Sequence, residues 1–242
     1  MPNLANLPVA DLQAGTANWS GQGYIDGLKM QWVSATALTV SSGAAFIPAL
    51  NKCLPVPGAI AKTGLALTAS TWYHVYLWLN AGVPDIEIVT TAPAAAYNGT
   101  ARAKTGDTSR RYVGSVLTDG AGSIASFKQS GNLIMYTTFT GSAPYRVLSN
   151  GAAMTTTNVS CAACIPITSQ LASIVIFNSD SSASMIIGDP DGSNNMLGLP
   201  GNPATRLFAP QTLNSSQQFN YSYQSAPSSG LYVDVHGYVY ER

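Results

Sequence analysis

Charged side chains are what this chain has least of: they make up 9 % of its 242 residues, against about 25 % in ordinary soluble domains. Its surface must therefore be built from Ser, Thr, Asn, Gln and Gly. That habit suits an extracellular or virion surface, or a protomer that hides much of its surface in an assembly. Lys plus Arg and Asp plus Glu number 11 each, so the formal net charge is zero. Such a chain has no basic field to draw in nucleic acid, and it lacks the self-repulsion that keeps free monomers apart. No nucleic-acid partner is expected, and stable self-assembly is.

Cysteine is also sparse. Cys53, Cys161 and Cys164 are the only three, and an odd count argues against a disulfide framework. No run of 18 or more apolar residues exists to insert in a membrane. Residues 1–8 lack a basic stretch followed by an apolar one, so synthesis in a cytoplasm without a secretory signal is expected.

The groups that carry chemistry are equally thin. The two histidines, His74 and His236, lie inside strand-like runs with no G-x-S-x-G motif beside them, and both read as packing or hydrogen-bonding residues. Carboxylates are too scattered to nominate the pair that glycoside cleavage needs. Cys161-Ala162-Ala163-Cys164 has the spacing of zinc and thiol-redox sites. Further ligands would have to come from the isolated Cys53, His74 or His236, so two buried structural thiols are expected, within a β-like run 159–165. Residues 189–195, with Asp189 and Asp191, resemble a calcium loop but lack its distal acid, and a plain turn is expected. The expectation is a chain with no catalytic residues, no metal and no cofactor.

What the chain has in quantity is β pattern. Hydrophobic residues amount to 46 %, enough for a sizeable core. Residues 72–79 (Trp-Tyr-His-Val-Tyr-Leu-Trp-Leu) lead across 80–84 into 85–89, where Ile86 and Ile88 alternate with Asp85 and Glu87. Asn80 and Gly82 supply turn residues that tolerate positive φ, and the two runs read as a hairpin. A second hairpin is expected from 110–117 through the glycine-rich turn 118–122 to 123–127. Strands are further expected near 28–33, 37–40, 44–48, 133–139, 145–148, 171–177, 185–188, 219–223 and 231–240. The last of these alternates Val233 and Val235 with Asp234 and His236, predicting one buried and one wet face. No stretch holds helical spacing for more than about two turns.

The fold class expected is all-β: two β-sandwich or jelly-roll-like domains, 28–145 and 146–242, preceded by an extended N-terminal arm, 1–27. The small polar residues of 141–157 mark the boundary. Leu4, Leu7, Val9 and Leu12 are many apolar groups for a free tail, so the arm is expected to attach to a particle or a neighbouring subunit, with a first strand of the next domain as the alternative. Tyr221, Tyr223, Tyr232, Tyr238 and Tyr240 crowd the C-terminal strands. As a set they are a candidate receptor or subunit contact, against the plain preference of aromatic residues for strands.

The aromatic strand 72–78, the short strand ending at Thr90-Thr91-Ala92-Pro93, Arg-Arg-Tyr-Val-Gly-Ser-Val at 110–116 and Thr-Asp-Gly-Ala-Gly at 118–122 together resemble a module of tailed-bacteriophage fibre and appendage proteins. The resemblance covers roughly residues 25–136. It implies a structural virion protein on the tail or capsid surface: a tail fibre or receptor-binding protein that attaches the particle to a host receptor or glycan. It also implies a homotrimer, with other virion proteins as partners of the arm. A capsid decoration (cement) protein, or another tail component such as a nozzle or baseplate subunit, is the alternative. A polysaccharide depolymerase comes third, disfavoured by the absence of a fixed-period repeat and of a carboxylate cluster.

Overall fold

The computed structural model describes residues 20–138, 141–192, 197–203 and 206–242. Leu4, Leu7, Val9 and Leu12 lie outside the described residues. What is described is nearly all β, in several antiparallel sheets. No helix among the described residues is long and apolar enough to cross a membrane.

The chain enters through a 3-10 turn at Ser20–Gly23 and strand β1 (Ile25–Gly27), so part of the expected arm is sheet. β2 (Met30–Ser34), β3 (Ala37–Val40), β4 (Gly43–Ile47), β5 (Lys52–Val56) and β6 (Ile60–Lys62) follow. They form two small sheets, β1-β4-β5 and β2-β3-β6. Next come β7 (Trp72–Asn80), β8 (Val83–Val89), β9 (Ala103–Lys104) and β10 (Asp107–Leu117), ordered β8-β7-β10-β9. The β7–β8 hairpin is the expected one. Its turn is made by Ala81 (φ 48°) and Gly82 (φ 87°), not by Asn80, and two consecutive positive φ angles match the right-handed twist of the strands. Pro84 lies inside β8 opposite Leu79, on the sheet's open edge, where no ladder donor is required.

The second expected hairpin shrinks to one bridge, Thr118 to Ile124. The chain then leaves this sheet, and β11 (Phe127–Ser130) pairs with β12 (Leu133–Tyr136). The remaining strands are β13 (Arg146–Gly151), β14 (Thr157–Ser160), β15 (Ser169–Asn178), β16 (Met185–Gly188), β17 (Leu197–Leu199), β18 (Arg206–Thr212), β19 (Gln218–Tyr223) and β20 (Leu231–Tyr240). They build a six-stranded sheet, β11-β12-β20-β15-β18 with β13 also on β20, and a four-stranded one, β14-β19-β16-β17.

The six-stranded sheet crosses the expected 145/146 boundary. Leu133, Ile134 and Met135 of β12 pair with Val239, Tyr238 and Gly237 of β20. One connected hydrophobic cluster runs from Leu28 and Met30 through Tyr76 and Tyr112 to Tyr238 and Tyr240. Gln129 fastens the junction: its side-chain oxygen accepts from Met30 N (2.8 Å) and its amide donates to Tyr240 OH (3.0 Å). The final strand does not have the expected wet face either. Asp234 is buried because Arg146 of the adjacent β13 lies over it in a two-pronged ion pair, 2.8 and 2.9 Å.

Candidate functional site

Asp119 opens the tight loop that follows β10. Its Oδ1 accepts from Ala121 N (2.8 Å) and Ser123 N (2.9 Å), an Asx turn that holds the loop's backbone. Its main-chain oxygen takes Ser70 N (2.8 Å). Only glycine fits at 122, where φ is +79° and a Cβ would lie 2.4 Å from Leu67 O. The loop is then tied to the β2–β3 turn through one residue: Ile124 N donates to Ala35 O (2.8 Å), and Ile124 O accepts from Trp32 Nε1 (3.0 Å).

These ties leave a cleft of about 420 Å³, within the size range of small-molecule sites. Trp32, Ser70, Asp119 and Ser123 line it, together with Pro144 and Tyr145 from the segment before β13. Trp32 keeps 38 % of its surface exposed while its indole N–H is occupied, so the ring is both available and fixed in orientation. Tyr145 is buried against Tyr136, centroids 4.8 Å apart, and burial raises its phenol pKa. Among the described residues nothing donates to Asp119 Oδ2, and the hydroxyls of Ser70 and Ser123 are likewise unengaged. The cleft therefore presents the exposed ring of Trp32, one free carboxylate oxygen and the unengaged hydroxyls of Ser70 and Ser123, with Tyr145 at its edge. Among the described residues no Lys, Arg or His lines it.

A second surface lies on the outer face of the six-stranded sheet. Arg206 sits over Phe177 (4.6 Å), Phe177 stacks on Tyr232 (5.9 Å, 30°), and Arg146 sits over Tyr232 (5.2 Å). This row crosses β18, β15, β20 and β13. Beside it Phe208 is 54 % exposed and meets His236 edge-on at 6.4 Å.

The tyrosine set expected at a contact surface is otherwise in the core. Tyr221, Tyr223, Tyr238 and Tyr240 are all buried, and a side chain without surface cannot touch a partner. Tyr238 OH donates to Ser115 O (3.1 Å) and Tyr223 OH to Asn178 Oδ1 (2.7 Å). Only Tyr232 stays half-buried, in the outer row.

Of the remaining ionisable groups that invite a site, His74, Cys161, Cys164 and Asp180 are internal. His74 and Ser115 hydrogen-bond at 2.7 Å, but both are buried. Cys161 and Cys164 stand in a turn after β14 and not in a strand: Cys164 N and Ile165 N both donate to Cys161 O, at 2.9 and 3.1 Å. Burial pushes the Cys161 thiol up to about 12 and raises Cys164 as well. Asp180 is buried too, and backbone N–H groups of Ala183, Ser182 and Ser229, with Ser228, hold its carboxyl well below the usual carboxylate range. That carboxylate staples two loops. Asp189 makes a plain turn, its Oδ1 accepting Asp191 N at 3.0 Å, while 193–195 lie outside the described residues. Among the described residues no three of His, Cys, Asp or Glu gather closely enough to hold a metal ion.

Compared with known proteins, the chain matches no protein-family model and no curated sequence.

Proposed function

We propose that this chain is a structural virion protein of a tailed bacteriophage, a tail fibre or receptor-binding appendage that attaches the particle to the host surface. The cleft beside Trp32 carries the reading. It offers a preoriented aromatic ring and unengaged polar atoms, the composition of a binding site. Among the described residues Asp119 is its single carboxylate, whereas hydrolysis of a glycosidic bond uses two. Binding without turnover is the function this favours. The resemblance of residues 25–136 to phage appendage modules and the scarcity of surface charge support the same reading. Copies assemble as homotrimers in this proposal, and the N-terminal arm, 1–27, joins the chain to other virion proteins. Several copies per particle then turn weak single contacts into firm attachment.

Immunogold labelling of particles tests the position, and competition of purified chain with particle adsorption to host cells tests the role. Label on the tail and reduced adsorption are expected. A capsid decoration role is the second reading, favoured by the exposed Phe208 and Val239 on the outer sheet face. Label spread over the capsid, with adsorption untouched, would establish it in place of the first.

A further inference from the structure

We infer that the Trp32 cleft takes a neutral hexopyranose unit, a sugar ring without carboxylate or phosphate. The inference rests on the reading of this cleft as a binding site and specifies its ligand. One face of a pyranose ring is a patch of C–H groups, which packs on an aromatic plane. Trp32 provides that plane at the cleft, and the bond from its Nε1 to Ile124 O fixes the ring beforehand, so little side-chain freedom is lost on binding. The edge of a pyranose carries hydroxyls, each a donor and an acceptor. Asp119 Oδ2 accepts from such groups, and Ser70 and Ser123 hydroxyls do both. Asp119 Oδ1 is taken up by Ala121 N and Ser123 N, so the carboxylate cannot swing away from its position.

Charge narrows the class of sugar. Asp119 lines the cleft with no Lys, Arg or His beside it among the described residues. A uronic acid, a sialic acid or a phosphorylated sugar would bring its own negative charge to this carboxylate with no cation to offset it. A neutral ring meets no such opposition.

Saturation-transfer NMR with methyl glycosides tests the inference. The probes are the methyl pyranosides of glucose, galactose, mannose, rhamnose and N-acetylglucosamine, with methyl glucuronide as the anionic counterpart of glucose. At least one neutral glycoside is expected to receive saturation from the wild-type chain, and the glucuronide none. Trp32→Ala is expected to weaken the binding at least about fivefold, since stacked ring contacts contribute about 1 kcal/mol. Trp32→Phe, which keeps a ring, restores part of it, and Asp119→Asn changes which hydroxyls are shielded. Thermal melts of each variant establish that it is folded. The inference is overturned if no neutral glycoside binds, if folded Trp32→Ala binds as well as wild type, or if the glucuronide matches its neutral parent. A chain that binds none of the glycosides yet still blocks adsorption would lose this inference and keep the attachment role. A chain that binds them and fails to block adsorption would do the opposite.

Discussion

His74 Nδ1 lies 2.7 Å from Ser115 Oγ, directly across the β7–β10 pair. The contact continues: Ser115 Oγ meets Tyr112 OH at 2.8 Å, and Tyr112 OH meets Thr168 Oγ1 at 2.8 Å. A histidine beside a serine invites a nucleophile reading, but burial turns this pair into a polar thread through the core, from the hairpin sheet to the segment entering β15.

The thread makes stability depend on pH. Burial pulls the pKa of His74 from 6.5 down to about 4. The unfolded chain takes up a proton near pH 6.5 and the folded chain does not until near pH 4. Stability is therefore full above pH 6.5, falls as the pH drops, and has lost about 3 kcal/mol from this residue once below the folded value. His236, also lowered by burial, adds to the same slope. Urea unfolding at pH 7.5 and 4.5 measures the difference, and His74→Gln is expected to remove most of it. A variant as pH-sensitive as wild type would show that His74 does not carry the effect.

Arg146 and Asp234 are expected to be strongly coupled. The Asp234 side chain is 2 % exposed and that of Arg146 25 %. Arg146→Ala leaves a buried carboxylate without its partner, at a cost of about 2 kcal/mol, the value being moderated by the exposure of the arginine. Removing both charges together is expected to cost less than the two single losses added. A double-mutant cycle on urea midpoints checks this, and additive losses would contradict it.

The thiols are expected to divide by burial. Burial raises the thiol pKa of all three, but Cys161 and Cys164 are fully buried whereas Cys53 is half-buried and accessible. Thiolate is the reactive form, so iodoacetamide at pH 8 should modify Cys53 alone in the native chain and all three in urea. Mass spectrometry reads the result. Rapid native labelling of Cys161 would mean that its turn opens.

Two glycines at the junction of the halves are expected to differ. A Cβ on Gly237 would lie 2.2 Å from the main-chain oxygen of Ile134, which cannot move without breaking the β12–β20 pairing. On Gly114 it would meet Met30 Cε at 2.5 Å, the mobile end of a flexible side chain. Gly237→Ala is expected to cost about 3 kcal/mol and Gly114→Ala about 1 kcal/mol. Equal urea midpoints for the two variants would overturn the ranking.

The β7–β8 hairpin was readable because strong alternation and turn residues coincide there. β18 was not: Pro210 and a weak pattern hid it, and it survives because it is an edge strand, paired among the described residues only with β15. The buried tyrosines carry a readable signal. Leu231, Val233 and Val235 are buried at odd positions and Tyr238 and Tyr240 at even ones. The parity changes at His236-Gly237, where the pairing register with β15 shifts, and a glycine inside a strand is a mark of such a bulge. The cleft was not legible at all. The glycine-rich turn 118–122 was, but Trp32 reaches that loop across 92 residues of chain, and no local pattern encodes such a meeting.

β20 lies inside the six-stranded sheet, bonded to β12, β13 and β15. All three are synthesised before it. Until Leu231 and the residues after it leave the ribosome, those strands wait with open edges, the condition under which β proteins pair with the wrong neighbour. Correct pairing of β12, β13 and β15 is thus held back until a late segment arrives, and any nascent chain released before that point is a template for clumping.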